Sequence, residues 1–349
     1  MNEIIFFSVF MVFILTILLV DLVVIGRKSH TLSFREALYW TMVWVGLSLS
    51  FYILLRFYGH KLHDLQDIQS IQANIENFRH QINIDGLSFT EALKLYNQNL
   101  SLEYLTGYII EYSLSIDNIF VILMIFLSFN IPSRLYKKVL FWGILGAVVF
   151  RFIFIFVASA LIQRFDWILY VFGAFLLIIA FKMGWEFLSG RESQKVDTEN
   201  HPVVKLLSRI FLIKKKDQTD RFWLRENGKL YITPLFIVLM MVEFSDVIFA
   251  VDSVPAVFSV TRDPYIVFFS NIFAILGLRS LFFLISDMVN RFRFLKLGLA
   301  FLLGFVGLKM LVHLPLTINQ SLIVIVSILA FFILLSVIFP KKPEISKTI

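Results

Sequence analysis

The sequence predicts an all-α fold, a polytopic helical membrane protein of about nine transmembrane helices, and three observations carry the prediction. Of 349 residues, 58% are hydrophobic and only 16% charged, whereas a soluble domain draws about a quarter of its residues from the charged types. Apolar runs of about 20 residues, the length that crosses a hydrocarbon core as a helix, recur from end to end. None of them alternates polar and apolar residues as the much shorter strands of a membrane barrel do.

In chain order the runs are Ile4–Ile25, Ala37–Tyr58, Tyr104–Phe129, Val139–Ile162, Trp167–Phe187, Tyr231–Phe258, Tyr265–Ile285, Leu295–Val312 and Leu322–Phe339. The first is too long for a signal peptide and lacks a basic leader and a small-residue cleavage site, so it reads as a span. The organisation that follows is two N-terminal helices (1–58), an external loop (59–103), a three-helix unit (104–188), a basic loop (189–230), a second three-helix unit (231–313), a last helix (319–340) and a tail (341–349).

Lys and Arg are distributed unevenly between alternate connections: 22 fall on one side and five on the other. The positive-inside rule then places the N-terminus outside, the C-terminus in the cytoplasm and the chain in the plasma (inner) membrane. The net charge of +7 is thereby a topology signal with affinity for anionic lipid rather than a nucleic-acid surface. With no cysteine, disulfides, thiolate metal sites and thiol nucleophiles are excluded. Of the long loops, 59–103 carries a helical pattern at Leu62–Ile75, and its His60 and His63 read as surface residues.

The two three-helix units repeat one another. Asp117 in Ser115-Ile116-Asp117 corresponds to Asp246 in Phe244-Ser245-Asp246 at an offset of 129, Arg151 to Arg279 at 128 and Lys182 to Lys309 at 127. Three spans is an odd number, so the second unit enters from the opposite face and the copies are inverted. In such carriers the substrate binds near the midplane between the units, often on broken helices.

A charge at mid-membrane costs at least about 2.5 kcal/mol on insertion scales. Yet the third span carries Glu111, Asp117 and Asn118, and the sixth Glu243, Asp246 and Asp252, against the two arginines Arg151 and Arg279. Five acids exceed two guanidiniums, and a divalent cation with a proton or two would neutralise the excess. Glu111, Ser115 and Asn118 share one helical face, as do Glu243, Asp246, Ala250 and Ser253, whereas Asp117 and Asp252 point elsewhere. A local unwinding near Pro255 would reconcile them. Carboxylates, an amide and carbonyls suit hard cations such as Mg²⁺, Ca²⁺ and Mn²⁺. The bland reading is that the acids and arginines only hold helices together. Lys182 and Lys309 read as structural residues that snorkel from span ends, and Asp21 as a helix-pairing or gating residue.

The stretches Thr106-Gly107-Tyr108-Ile109-Ile110-Glu111 to Asp117-Asn118, Val242-Glu243-Phe244-Ser245-Asp246 to Ala256, and Ser270-Asn271-Ile272-Phe273 to Arg279 resemble the TerC family of integral membrane proteins, most closely its Alx-like branch. The resemblance implies kinship with LysE-type exporters, acidic intramembrane motifs that bind the ion, and a role in Mn²⁺ efflux, beside the tellurium resistance of the family name. Carried over by position, those motifs are Glu111, Asp117, Asn118, Glu243, Asp246, Asp252 and Ser253. The external loop is longer here than in the family pattern.

The expected function is therefore a secondary carrier, not an enzyme, with Mn²⁺ or a similar cation as substrate, no permanent cofactor, and lipid and the metal ion as partners. No Walker motif is present to couple it to ATP. The competing expectation is a membrane scaffold that assembles envelope proteins, or a metal or tellurite stress function without transport. An intramembrane aspartyl protease is a third.

Overall fold

The computed structural model describes residues 3–26, 33–129, 131–165, 167–189, 202–213, 220–226, 229–286, 294–312 and 316–339, without the side chains of 3, 4, 18–26, 117, 120, 202, 203 and 296. The fold is all-α: α1 (Glu3–Gly26), α2 (Phe34–Tyr58), α3 (Ile68–Phe78), α4 (Phe89–Ser128), α5 (Ser133–Arg164), α6 (Trp167–Leu188), α7 (Pro202–Ile210), α8 (Pro234–Phe258), α9 (Pro264–Leu276), α10 (Leu278–Ser286), α11 (Leu295–Val312) and α12 (Ile318–Ile338). Among the described residues α2, α4, α5, α6, α8 and α12 are each long and apolar enough to cross a bilayer, and α9 with α10, bent by 43°, can form a seventh crossing. The apolar runs Leu295–Val312 and Ile4–Ile25 coincide with α11 and α1.

Helix starts are written in side chains that satisfy otherwise unpaired backbone N–H groups. Ser33 with Glu36, Ser88 with Glu91 and Thr317 with Gln320 form reciprocal capping boxes. Thr233 and Asp263 cap α8 and α9, each followed by a proline in the first turn, where a missing N–H costs nothing.

The packing alternates between the two halves of the chain. α4 lies against α8 and α9, α5 against the same two helices, and α6 pairs most extensively with α11. That last pair meets through small residues: a Cβ on Gly307 would stand 2.8 Å from the Gly173 carbonyl oxygen, and one on Gly173 3.1 Å from that of Gly307. Without a hydrophobic drive between helices in lipid, such close backbone approach supplies the contact.

Three sequence expectations change. Residues 59–103 are not a loop: they hold a 3-10 turn (Gly59–Lys61), α3 and the first turns of α4, whose 40 residues rise about 60 Å, twice the hydrocarbon thickness. Leu62, Leu65, Ile71 and Phe78 are buried in this module, and Gly59 lies against α4, where an added Cβ would meet Leu100 at 3.0 Å. Residues 189–230 hold α7 and part of a three-stranded sheet of order β1-β3-β2, with β1 (Leu212–Ile213) parallel to β3 (Lys229–Ile232) and β2 (Trp223–Glu226) antiparallel to it. Finally, α8 runs unbroken through Pro255. Four residues from the helix end, this proline releases a single carbonyl, which the helix tolerates without unwinding. The break falls instead at Gly277, between α9 and α10.

Candidate functional site

Arg151 of α5 is fully buried at the centre of the packing between α4, α5, α8 and α9. Its Nη1 donates to Glu111 Oε1 of α4 and to Asn271 Oδ1 of α9, and its Nη2 lies 3.4 Å from Asp246 Oδ1 of α8. One guanidinium therefore joins four helices, and its acids come from both halves of the chain. The planar fork of five donors makes arginine suited to this bridging.

Glu243, one turn before Asp246, is buried with its carboxylate laid over Gly146 of α5. Any Cβ at position 146 would collide with both carboxylate oxygens, so the glycine makes the space that the acid fills. Asn118 and Ser253 are buried two turns along α4 and α8 from Glu111 and Asp246. Ser115 turns its hydroxyl back to the Glu111 carbonyl at 2.8 Å. Asp252 is half-buried on α8, and Arg279 is buried on α10. The side chains of Asp117 and Asp21 lie outside the described residues.

Glu111 Oε2, Asn118 Nδ2, Arg151 Nε, Glu243 Oε2, Asp246 Oδ2, Ser253 Oγ and Asn271 Nδ2 are all buried without a hydrogen-bond partner. A buried polar atom left this way costs about 1–3 kcal/mol, and natural proteins fill such positions with water or ions. Glu111 and Asp246 on Arg151, with Glu243 one turn from Asp246, also outnumber that guanidinium. Among the described residues no three His, Asp or Glu side chains converge as a preformed metal cluster, because the guanidinium stands between Glu111 and Asp246.

A second polar cluster, not foreseen from the sequence, lies where residues 59–88 meet α4 at Asn99 and Glu103 and the α8–α9 connection. His63 Nε2 is 2.8 Å from Asp263 Oδ2, His80 Nδ1 is 2.7 Å from Glu103 Oε1, Thr261 Oγ1 donates to Glu103 Oε2 at 2.6 Å, and Asn99 Nδ2 to Glu103 Oε1 at 2.7 Å. His63 is thus buried rather than a surface residue, since its ring is enclosed by Phe78 and Tyr265. Burial draws the His80 imidazole down, but the charge and hydrogen bond of Glu103 and the charge of Asp263 outweigh it, against an opposing push from His63, and leave its pKa above the usual histidine value. Burial raises Asp263, yet the charge and hydrogen bond of His63, the charge of His80 and the Tyr265 N–H hold it below the usual carboxylate range. Lys309 does not snorkel: it is buried in α11 and feels the charge of Glu103. Lys182 is exposed.

The class is then defined: a multi-pass, all-α integral membrane protein whose helices enclose a charged polar core. Residues 96–344 match the family described as integral membrane protein TerC, and the chain belongs to the TerC family. A relative in Escherichia coli (strain K12) is 40% identical over 329 residues, covering 93% of this chain and 92% of its own; it bears the name Alx and is described as a candidate membrane-bound redox modulator. The Salmonella typhi protein of the same name is 41% identical over 319 residues, with 90% and 88% coverage. A Rickettsia felis membrane protein without an assigned function is 35% identical over 340 residues, with 97% and 98% coverage. No solved structure matches the chain significantly.

Proposed function

We propose that the protein is a secondary transporter that exports a divalent metal cation, Mn²⁺ foremost, by alternating access of two inverted three-helix units about a mid-membrane carboxylate site. The observation that supports this most is the pairing of Arg151, from one unit, with Asp246 of the other, beside carboxylate oxygens that have no partner. The α4/α9 and α5/α8 contacts are the two members that a two-fold exchange of the units would interchange, and α6/α11 is a pair it would map onto itself. In this reading Glu111, Asn118, Glu243 and Asp246, joined by Asp117, Asp252 and Ser253, hold the ion, which displaces Arg151 from part of its carboxylate shell. The ion would enter the site from the cytoplasmic side and leave on the side of the N-terminus.

The relatives' description as redox modulators has no thiol to act through here, as the chain has no cysteine. A scaffold reading draws support from one feature, the exposed Leu212, Trp223 and Leu230 on the small sheet. Tracer Mn²⁺ flux in vesicles tests the transport reading. Asp246→Asn and Asp117→Asn should each cut flux at least about tenfold, about 1.4 kcal/mol in the barrier, while exchanging 212–232 for a short linker should leave it. Undiminished flux in both Asn variants refutes the site.

A further inference from the structure

The histidine cluster ties three separate parts of the chain together. His63 and His80 come from the 59–88 module, Glu103 from α4, and Thr261 and Asp263 from the connection between α8 and α9. All five residues are buried. Asp263 also caps α9, accepting from Tyr265 N at 2.9 Å, so its carboxylate fixes both the helix start and the module. We propose that this network is a pH-dependent latch, which fastens the module to α4 at Glu103 and to the start of α9 while the His80 imidazole is protonated and loosens it in alkaline medium.

The argument is one of charge in a dry place. Protonated, the His80 imidazole stands against Glu103, as His63 stands against Asp263. With the His80 ring neutral, Glu103 keeps only the more distant charge of Lys309 and Asp263 loses a positive neighbour, and a buried carboxylate short of counter-charge is destabilising. His80 Nδ1 is engaged with Glu103, while its Nε2 is buried without a partner. The proton that comes and goes is therefore the one on Nε2, retained by the nearby negative charges and not by a hydrogen bond of its own. The groups facing the pair are Glu103 and Asn99 from α4, Asp263 and Thr261 from the α8–α9 connection, Tyr96 edge-on to His80, and Lys309 from α11 acting on Glu103; Arg262 adjoins Asp263 in the chain. His60, held by Asn97 on the module's other edge, is kept below the usual histidine value by burial, against the Asn97 hydrogen bond, with Lys61 adding to the fall.

The sign follows from the two shifts. The raised His80 value makes its contribution complete below the ordinary histidine pKa and lost as pH climbs through the raised one. The depressed Asp263 value keeps its contribution intact until well into acid. The latch thus holds from acid to neutral pH and gives way on the alkaline side.

The absence of cysteine permits a direct reading that needs no transport and so stands or falls apart from the transport proposal. Ile71→Cys places a thiol on the buried face of α3 and Gln69→Cys one on its exposed face. The ratio of their maleimide labelling rates in nanodiscs cancels the thiol's own titration. Between about pH 6 and about pH 9 the ratio should rise about tenfold, which corresponds to about 1.4 kcal/mol lost from the closed state, and the rise should vanish in the His63→Gln/His80→Gln variant. A flat ratio, or an equal rise in that variant, overturns the latch. As Ile71→Cys itself loosens α3, the imidazole titration of the unsubstituted chain by NMR is the second reading: a His80 titrating above the ordinary value supports the latch, and one titrating at or below it overturns the proposal.

Discussion

The charged core around Arg151 and the histidine cluster around Glu103 of α4 are both buried, both rich in carboxylates and both assembled from distant segments, yet they are finished differently. Among the described residues, seven of the ten buried polar atoms without a partner belong to residues of the core site or the helix faces that line it, against one, His80 Nε2, in the histidine cluster. Every carboxylate oxygen of Glu103 and Asp263 has a donor in place. A network with every oxygen answered holds its segments together, and the oxygens left over in the core are the ones the proposed ion would occupy.

The sharpest way to break that comparison is to remove the guanidinium. Arg151→Gln strands Glu111 and Asp246 without a counter-charge and should lower stability by about 3–5 kcal/mol, read as a large fall in the unfolding temperature in detergent; a shift of a degree or two would show that the core tolerates its acids unaided. Glu103→Gln should cost about 1–3 kcal/mol and flatten the pH profile. The parent's stability should fall as pH rises from the ordinary histidine range through the raised His80 value, because over that range the folded state holds a proton that the unfolded chain has already released, whereas the variant's should not. Thermal unfolding across neutral to alkaline pH checks this.

Gly146→Ala separates reception from holding. Its Cβ displaces the Glu243 carboxylate while leaving the histidine cluster untouched, so tracer flux should fall about tenfold with stability changed by less than about 1 kcal/mol; equal flux would remove Glu243 from the site. The smallest effect belongs to a cap that serves neither region. Ser88→Ala loses the Glu91 box and should cost about 1 kcal/mol with the pH profile and the flux unaltered.

Much of this architecture was legible in the residues themselves. Span-length apolar runs pointed to the all-α membrane class, and among the charged residues singled out inside the spans the structure brings Glu111, Arg151 and Asp246 together, charge in lipid being costly. What escaped prediction depends on tertiary partners. Asn271 carries no charge to flag it, and Gly146 matters only through the acid laid over it. His63 and His80 look like loop residues until Asp263 and Glu103, 200 and 23 positions away, fold against them. The continuation of α4 down to Phe89 was readable in the Ser88-to-Glu91 box, and the β2–β3 pair in the Asn227-Gly228 dipeptide between two short apolar-polar runs. The helix break was expected at Pro255 and falls at Gly277.

Binding measured directly is the plainest trial of the unfinished core. Titration of the purified protein with Mn²⁺, followed by the loss of the free-ion paramagnetic resonance signal, should show saturable uptake that is abolished in Glu243→Gln/Asp246→Asn and retained in His63→Gln/His80→Gln. Uptake unchanged by the first pair of substitutions, or lost with the second, would contradict the assignment of ion reception to the Arg151 core.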